Sequence, residues 1–296
     1  MGVCDNRIST DSSFNWRQGL TSKFDFSLDV YRSHNLDIAK LSDEALVAHF
    51  LGNQGDRRVY AKTDNTAEFL SMRWLRGDGF EVGAGAHPTP LYGNARALLS
   101  DCDDSHAFGG ERVDIAGSID DPAFWRDKED NFDFVIASHV LEHVDSLLLA
   151  LANLLKITRN NGIIYIVLPD ILFLHDKEWM PYYGFEHHIE EYNHPHHNDD
   201  LHDNVVIEYI KSKSCDKNKV NKAIHAQISD RYLASVQGGN IPETDRFMHH
   251  KHNYDFNGWL YTLHQSISFF SNRMQFVDSR YGHERMDCHF VFQVKK

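Results

Sequence analysis

The chain has 296 residues, 42% hydrophobic and 25% charged, and a formal net charge of −13. Such a composition fits a soluble globular protein with room for a full apolar core, and excludes a disordered or collagen-like chain. The negative balance argues against DNA or RNA as a partner, since a polyanion calls for the opposite sign. No apolar run approaches the roughly 18 residues of a membrane-spanning helix.

The N-terminal residues Met1-Gly2-Val3-Cys4-Asp5 are polar and carry no apolar signal core. Cys4, Cys102, Cys215 and Cys288 are far apart and form no CxxC pair, which fits a reducing cytoplasm rather than a disulfide framework. A run from Lys211 through Lys213, Lys217 and Lys219 to Lys222 reads as a solvated face. Residues 1–64 read as a helical extension and 65–296 as the main domain. Within the extension, Ser42 is placed to cap a helix that turns Ala45, Leu46, His49 and Phe50 to one side. Asn65, with Glu68 three residues on, caps a second helix from Thr66 to Arg76.

The apolar period then changes. Phe80-Glu81-Val82 leads into Gly83-Ala84-Gly85, a buried strand ending in a glycine turn. Ala97 to Ser100 is a second strand, ending at Asp101, and Phe132 to Ser138 is another clear one. Asp145 is the expected cap of an apolar helix through Leu147, Leu148, Leu151, Leu154 and Leu155, which stops at Asn160-Asn161-Gly162. Ile163 to Leu168 is continuously apolar, as a strand covered on both faces should be. Strand, helix and strand at this spacing predict a Rossmann-like, doubly wound, mostly parallel α/β sheet.

After Pro169-Asp170 the rhythm breaks. Residues 171–248 read as an insertion over the C-terminal edge of the sheet, where open α/β folds bind ligands. Of the 20 histidines, eleven lie between His175 and His252. A helix near Phe256 to Phe270 follows. The runs Gln275-Phe276-Val277 and His289 to Val294 lie too close for a crossover helix, so they predict a closing antiparallel hairpin.

Gly83 and Gly85 let the backbone turn tightly and come close to a ligand. Pro88 stands where a dinucleotide fingerprint needs a further glycine, and no nearby lysine makes a phosphate loop. Asp101, 16 residues beyond Gly85, can accept both hydroxyls of a ribose. Glu81 can anchor an amino-acid end. These features describe a nucleoside ligand without phosphates.

Glu81-Val82-Gly83-Ala84-Gly85-Ala86-His87 resembles the first motif of class I S-adenosylmethionine-dependent methyltransferases, with His87 where a third glycine usually stands. The runs Phe132 to His143 and Asn161 to Asp170 resemble the family's fourth and fifth strands. The resemblance implies that Gly83 and Gly85 pass under the methionine moiety and that Asp101 holds the ribose. It also implies that Ser118 and Ile119 meet adenine, and that Ser138 and His139 line the wall beside the sulfonium. Asp133 and Glu142 read more simply as residues that start a strand and cap a helix; for His139 and His143 both a ligand-facing and a structural role stay open.

The insertion decides the acceptor. Its histidines suit a base that deprotonates an alcohol, a divalent metal that holds a sugar diol, or a hydrogen-bonding lid. His250 and His252, where the insertion rejoins the fold, are the first candidates for the base and His187 the next; no residue is assigned as a metal ligand. The run from Pro169-Asp170 through His175-Asp176 to Glu186-His187-His188-Ile189-Glu190-Glu191-Tyr192 resembles a methyltransferase subfamily found with surface-polysaccharide biosynthesis, although Ile171 and Leu172 replace its usual Lys-Arg. Leu41 to Arg58 resembles a helical module seen beside bacterial glycosyltransferases. Together they imply an O-methyltransferase of a small molecule or glycan precursor, on the way to a capsule or lipopolysaccharide. A small non-sugar metabolite is the alternative acceptor. A His-rich metal-dependent enzyme is the alternative class, which the set Glu81, Gly83, Gly85 and Asp101 disfavours.

Overall fold

The computed structural model describes residues 17–18, 26–53, 58–60, 63, 65–84, 88–101, 113–119, 121, 125–195, 199–212, 230–239, 241, 249–282 and 286–296. Cys4, Cys102, Cys215 and the lysine run beyond Lys211 lie outside them.

The sheet runs through β1 (Arg17–Gln18), β2 (Asp78–Val82), β3 (Arg96–Asp101), β4 (Ile115–Ala116), β5 (Phe132–Ser138), β6 (Thr158–Pro169), β7 (Met274–Gly282) and β8 (Asp287–Val294). Its order is β1-β3-β2-β5-β6-β8-β7, with β4 also on β3. Pairs among β2 to β6 are parallel, whereas β8 runs antiparallel between β6 and β7. The expected Rossmann-like sheet with a closing hairpin is therefore present. β1 and β4 share the outer edge of β3: β1 pairs with Arg96 and Ala97, and β4 with Ser100 and Asp101.

Alternation along the strands builds a core on each face. Phe80, Val82, Val135, Ala137, Ile164, Ile166, Phe290 and Phe292 pack with α4 (Leu147–Ile157) and with Trp259 and Leu263 of the closing helix (Phe256–Phe269). Phe134, Ile136, Ile163, Tyr165, Val167 and Val291 pack against Leu70 of α3 (Thr66–Trp74) on the other face. The N-terminal helices α1 (Leu28–His34) and α2 (Asp43–Gly52) gather a smaller core of Tyr31, Leu46, Val59 and Tyr60 around Met72 of α3. Ser42 and Asn65 cap α2 and α3 as expected, by accepting from the Ala45 and Glu68 amides. Glu68 does not close the box on Asn65; its carboxylate takes the Thr63 hydroxyl at 2.6 Å instead.

Two local expectations are corrected. Ser146, not Asp145, caps α4, its hydroxyl accepting from the Leu149 amide at 3.3 Å. Asp145 is drawn away by the ammonium of Lys251. The helix also ends at Ile157, and β6 begins directly at Thr158. Asn160-Asn161-Gly162 is instead a bulge: Phe132 faces Thr158 but Phe134 faces Ile163, and Asn161 takes a φ of 63°.

The insertion holds α5 (Phe185–Asn193), α6 (Asp199–Ser212) and α7 (Asp230–Gln237), and the closing helix is α8. Phe185, Ile189 and Tyr192 of α5 join the main core. By contrast, Val206, Ile207 and Ile210 of α6 and Leu233 and Val236 of α7 form a separate small core.

Ser146→Ala is expected to lower the unfolding free energy by about 0.5–2 kcal/mol through the lost cap. Urea denaturation beside Asp145→Ala checks the correction: no loss in Ser146→Ala together with a clear loss in Asp145→Ala would return the cap to Asp145.

Candidate functional site

The order of the sheet reverses between β2 and β5, which lie side by side while their connections run to opposite edges. Open parallel sheets bind ligands at such a switch point, beyond the carboxyl ends of the strands. β2 ends there in Glu81, Val82 and Gly83, and β5 in Ser138 and His139.

Glu81 is fully buried, and one of its carboxylate oxygens accepts from the Thr89 amide at 2.7 Å. Gly83 has a φ of +60°, and a Cβ there would lie 2.1 Å from Val140 Cγ2, so both the turn and its neighbour demand glycine. The Ala84 amide donates to the Ser100 carbonyl at 3.0 Å, which stitches the end of β2 to β3. Asp101 ends β3 half-buried, and its carbonyl takes the Gly117 amide at 2.9 Å. That bond brings the exposed Ser118 beside it. Ile119 is buried in the main core, while its carbonyl accepts from Asn153 at 2.6 Å and Trp125 at 3.1 Å. Gly85 and His87 lie outside the described residues. The six expected cofactor residues other than Gly85 and Ile119 thus sit on one edge, and Ile119 presents backbone rather than side chain.

His139 follows with a φ of 54°, a conformation that few non-glycine residues adopt. Its Nδ1 lies 3.4 Å from Glu142 and its Nε2 3.5 Å from Asp287, the first residue of β8. The side chain is 42% exposed, so only partial desolvation works against a charged ring, and these two carboxylates outweigh it and raise the His139 pKa to about 10. Glu142 does not cap α4. It is fully buried, and despite burial His139 and His143 hold its pKa below the ordinary value. Asp133 does act at a strand start: it accepts from the Asp78 amide and pairs with Arg159 at 2.6 Å.

The segment that returns from the insertion lies against the loop after β5. The Lys251 and His252 amides both donate to the Glu142 carbonyl, at 2.7 and 3.2 Å. His143 Nδ1 lies 3.1 Å from the His249 carbonyl, and Lys251 pairs with Asp145. The expected position of the 250–252 step near the sheet edge is therefore observed, but its two histidines part company.

His250 faces its neighbour His143, with ring centroids 4.7 Å apart, and its Nδ1 is tightly bonded to the buried carboxylate of Asp176. Burial opposes a charge on His250; Asp176 outweighs it and raises the pKa. His143 is pushed the other way, to about 4, by burial and by the His250 charge. Glu142, His143 and His250 place ligand atoms within 4.8 Å of one another.

His252 turns into a second cluster with His187, Glu191 and His202. Glu191 Oε1 lies 2.8 Å from His187 Nε2, 3.0 Å from His252 Nε2 and 3.3 Å from His202 Nε2. Burial, reinforced by neighbouring histidines, lowers the pKa of His202 to about 3, and burial lowers that of His252 to about 4. Asp176, Glu191 and His202 were not singled out as site residues by sequence. Glu191 left a trace four residues after His187 on one helix face, and Asp176 only as part of the quoted 169–192 run.

Residues 62–203 match the family described as a methyltransferase domain. No curated protein matches the chain. Among solved structures the chain is similar to the carbon methyltransferase CurJ, at 11% identity and a TM-score of 0.35 over 75% of this chain and 49% of that one. It thus spans about half the length of that protein. It is also similar to a Rhodobacter sphaeroides protein described as a zinc-dependent alcohol dehydrogenase, at 11% identity and a TM-score of 0.45 over 79% of this chain and 91% of that one. A third is the Burkholderia thailandensis 1,6-didemethyltoxoflavin-N1-methyltransferase with bound S-adenosylhomocysteine, at 11% identity and a TM-score of 0.38 over 75% of this chain and 72% of that one. That domain match covers just under half of the chain, and over residues 62–203 the chain is similar to a methyltransferase domain. No helix among the described residues is long and apolar enough to cross a membrane.

The His139 pairing has a pH signature. Because its folded pKa is raised, the stability it adds is fully present below 6.5, its ordinary value, and is lost as pH rises through about 10. His139→Asn keeps a residue that tolerates the left-handed backbone. The gap in urea stability between the native chain and this variant should be wider at about pH 6 than at about pH 10.5. A gap that stays constant would mean that Glu142 and Asp287 do not hold a charged ring.

Proposed function

We propose that this methyltransferase transfers its methyl group to a hydroxyl oxygen of a small polar acceptor, a sugar or sugar phosphate that serves as a precursor of a bacterial surface polysaccharide. The observation that carries the O-methyl reading is the His250–Asp176 pair, a buried imidazole oriented by a carboxylate and set against the loop after β5. The choice of a sugar is supported by the likeness of the 169–192 run to the polysaccharide-associated subfamily.

The residues present fit the cofactor. Gly83 would lie under its methionine part, Glu81 would anchor the amino-acid end, and Asp101 would accept the ribose hydroxyls. Ser118 and the Ile119 backbone would border adenine, with Ser138 and His139 forming the wall. A charged His139 is offset by Glu142 and Asp287, so the wall does not repel a sulfonium. When bound, S-adenosylmethionine supplies an electrophilic methyl carbon on a positive sulfur.

For this chain's own residues the work is alignment and one proton. In its neutral form His250 keeps its Nδ1 proton directed at Asp176, and its Nε2 would then take the proton of the acceptor hydroxyl. The carboxylate then stabilises the imidazolium, as in other carboxylate–histidine pairs. His252 and His187 turn away from this position, so the base role falls to His250 alone.

Calorimetric titration should show binding of S-adenosylhomocysteine and none of NAD, and Asp101→Ala should weaken the former by about 1.5–3 kcal/mol. Screening nucleotide sugars and phosphorylated sugars for methyl uptake tests the acceptor; uptake by non-sugar metabolites alone would replace it. With the acceptor in hand, His250→Ala should lower kcat at least about tenfold while S-adenosylhomocysteine affinity holds. Parental turnover by that variant removes His250 from the mechanism.

A further inference from the structure

Four side chains from three separate parts of the chain meet at a single point between the insertion and the segment that follows it. His187 and Glu191 come from α5, His202 from α6, and His252 from the segment before α8. The side chains of His202, His252 and Glu191 are at most 2% exposed, and that of His187 is 12% exposed. His187 Nε2 lies 2.8 Å from Glu191 Oε1, 3.2 Å from His202 Nε2 and 3.3 Å from His252 Nε2. An imidazole nitrogen offers one proton or one lone pair, in one direction. It cannot satisfy three partners pairwise, so contacts of this kind indicate atoms arranged around a shared centre.

The spacing identifies that centre. Zinc–nitrogen and zinc–oxygen bonds of about 2.0–2.1 Å in a tetrahedron put neighbouring ligand atoms roughly 3.3 Å apart. The five measured edges run from 2.8 to 3.3 Å. Around the set, Glu191 Oε2 lies 3.4 Å from His188 Nδ1, and His188 Nε2 lies 2.8 Å from the Tyr254 hydroxyl. Tyr183 stacks on the His187 ring with centroids 4.0 Å apart. Such outer contacts fix the rotamers of metal ligands.

We propose that His187, Glu191, His202 and His252 form a closed four-ligand zinc site that fastens the insertion to the methyltransferase core. Three imidazoles and one carboxylate match borderline-soft zinc better than magnesium or calcium, which take oxygen ligands. Four protein ligands in a buried site leave no open position, which makes the site structural rather than catalytic. The need for it is visible in the packing. The apolar side of α6 is spent on its own small core with α7, whereas α5 packs on the main core. A metal ion would join α6, α5 and the His252 segment, and thereby hold His250 at the site edge. The inference goes beyond the acceptor proposed above and holds for any acceptor.

The test uses full-length protein purified without a histidine tag. Elemental mass spectrometry should find about one zinc per chain. Stripping with dipicolinate should lower Tm by at least ~10 °C, with recovery on adding zinc alone. His202→Ala and Glu191→Gln should lose the metal, and His264→Ala, at an exposed position on α8, should keep it. Should those variants fold poorly, cobalt loaded into the stripped native chain reads the geometry directly, through the intense visible absorption of a four-coordinate ion. S-adenosylhomocysteine affinity, measured on the same stripped protein, should change less than about threefold, so its loss in the native holoprotein would count against the methyltransferase reading alone. The proposal is overturned if purified chain holds no zinc and takes none up, or if cobalt gives a weak six-coordinate spectrum. It is equally overturned if the metal survives His202→Ala but leaves in His143→Ala.

Discussion

The carbonyl of Glu142 accepts two consecutive amides, from Lys251 at 2.7 Å and His252 at 3.2 Å, and the proposed acceptor side of the site depends on that anchor. Three further contacts reinforce it between the same two segments: His143 to the His249 carbonyl, Lys251 to Asp145, and the T-shaped packing of the His143 and His250 rings. The loop after β5 is fixed by the strand register, with the His139 amide still bonded to the Val167 carbonyl at 2.9 Å. A segment tied to such a loop inherits the rigidity of the sheet. That is how residues at the end of a long insertion come to be positioned as well as residues on a strand.

The anchor has an electrostatic counterpart. Glu142, Asp176 and Glu191 are all at most 2% exposed in a chain that already carries a net charge of −13. An isolated buried carboxylate costs several kcal/mol, and self-repulsion adds to it. Each of the three is answered by histidine: Glu142 by His139, Asp176 by His250, and Glu191 by His187 and His252. Three of the eleven histidines between His175 and His252 are thus accounted for by buried acids. Lysine would bring a strongly hydrated charge that is hard to bury. Imidazole can neutralise, accept, donate or bind a metal in the same volume.

The sheet was legible in the sequence because its signals are local. Continuous apolar runs and glycine turns mark β2, β5 and β6, and the short spacing of the last two strands forces a hairpin. The caps at Ser42 and Asn65 were legible for the same reason. Asp145 misled because a carboxylate before a helix usually caps it, and only the fold shows that Lys251, 106 residues away, takes it instead. The short β4 and the bulge at Asn161 depend on pairing partners that no single segment reveals. In the site, Glu81, Gly83 and Asp101 announced themselves by position relative to strand ends. His250 and His252 did so as a pair, but nothing local told them apart. His202 carried no signal, since a residue that matters through a contact across the insertion looks like any polar residue on a helix, and Asp176 stood only as one residue of a quoted run with no role attached.

This contrast follows from how the two halves of the site are made. The proposed donor half uses strand ends, where hydrogen-bond register sets every backbone position and few side chains need to be special. The acceptor half has no such lattice. The small core shared by α6 and α7 is separate from the core under α5, so apolar packing alone leaves those elements to be fastened by polar contacts. Among the described contacts, His202 at Glu191, Asp203 near His249 at 3.6 Å and Tyr209 on Glu178 at 2.9 Å perform that fastening. Polar fastening is directional where apolar packing is not. It therefore fixes the orientation of the return segment, which methyl transfer needs, while the outer surface of α6 and α7 can vary without disturbing the cofactor edge.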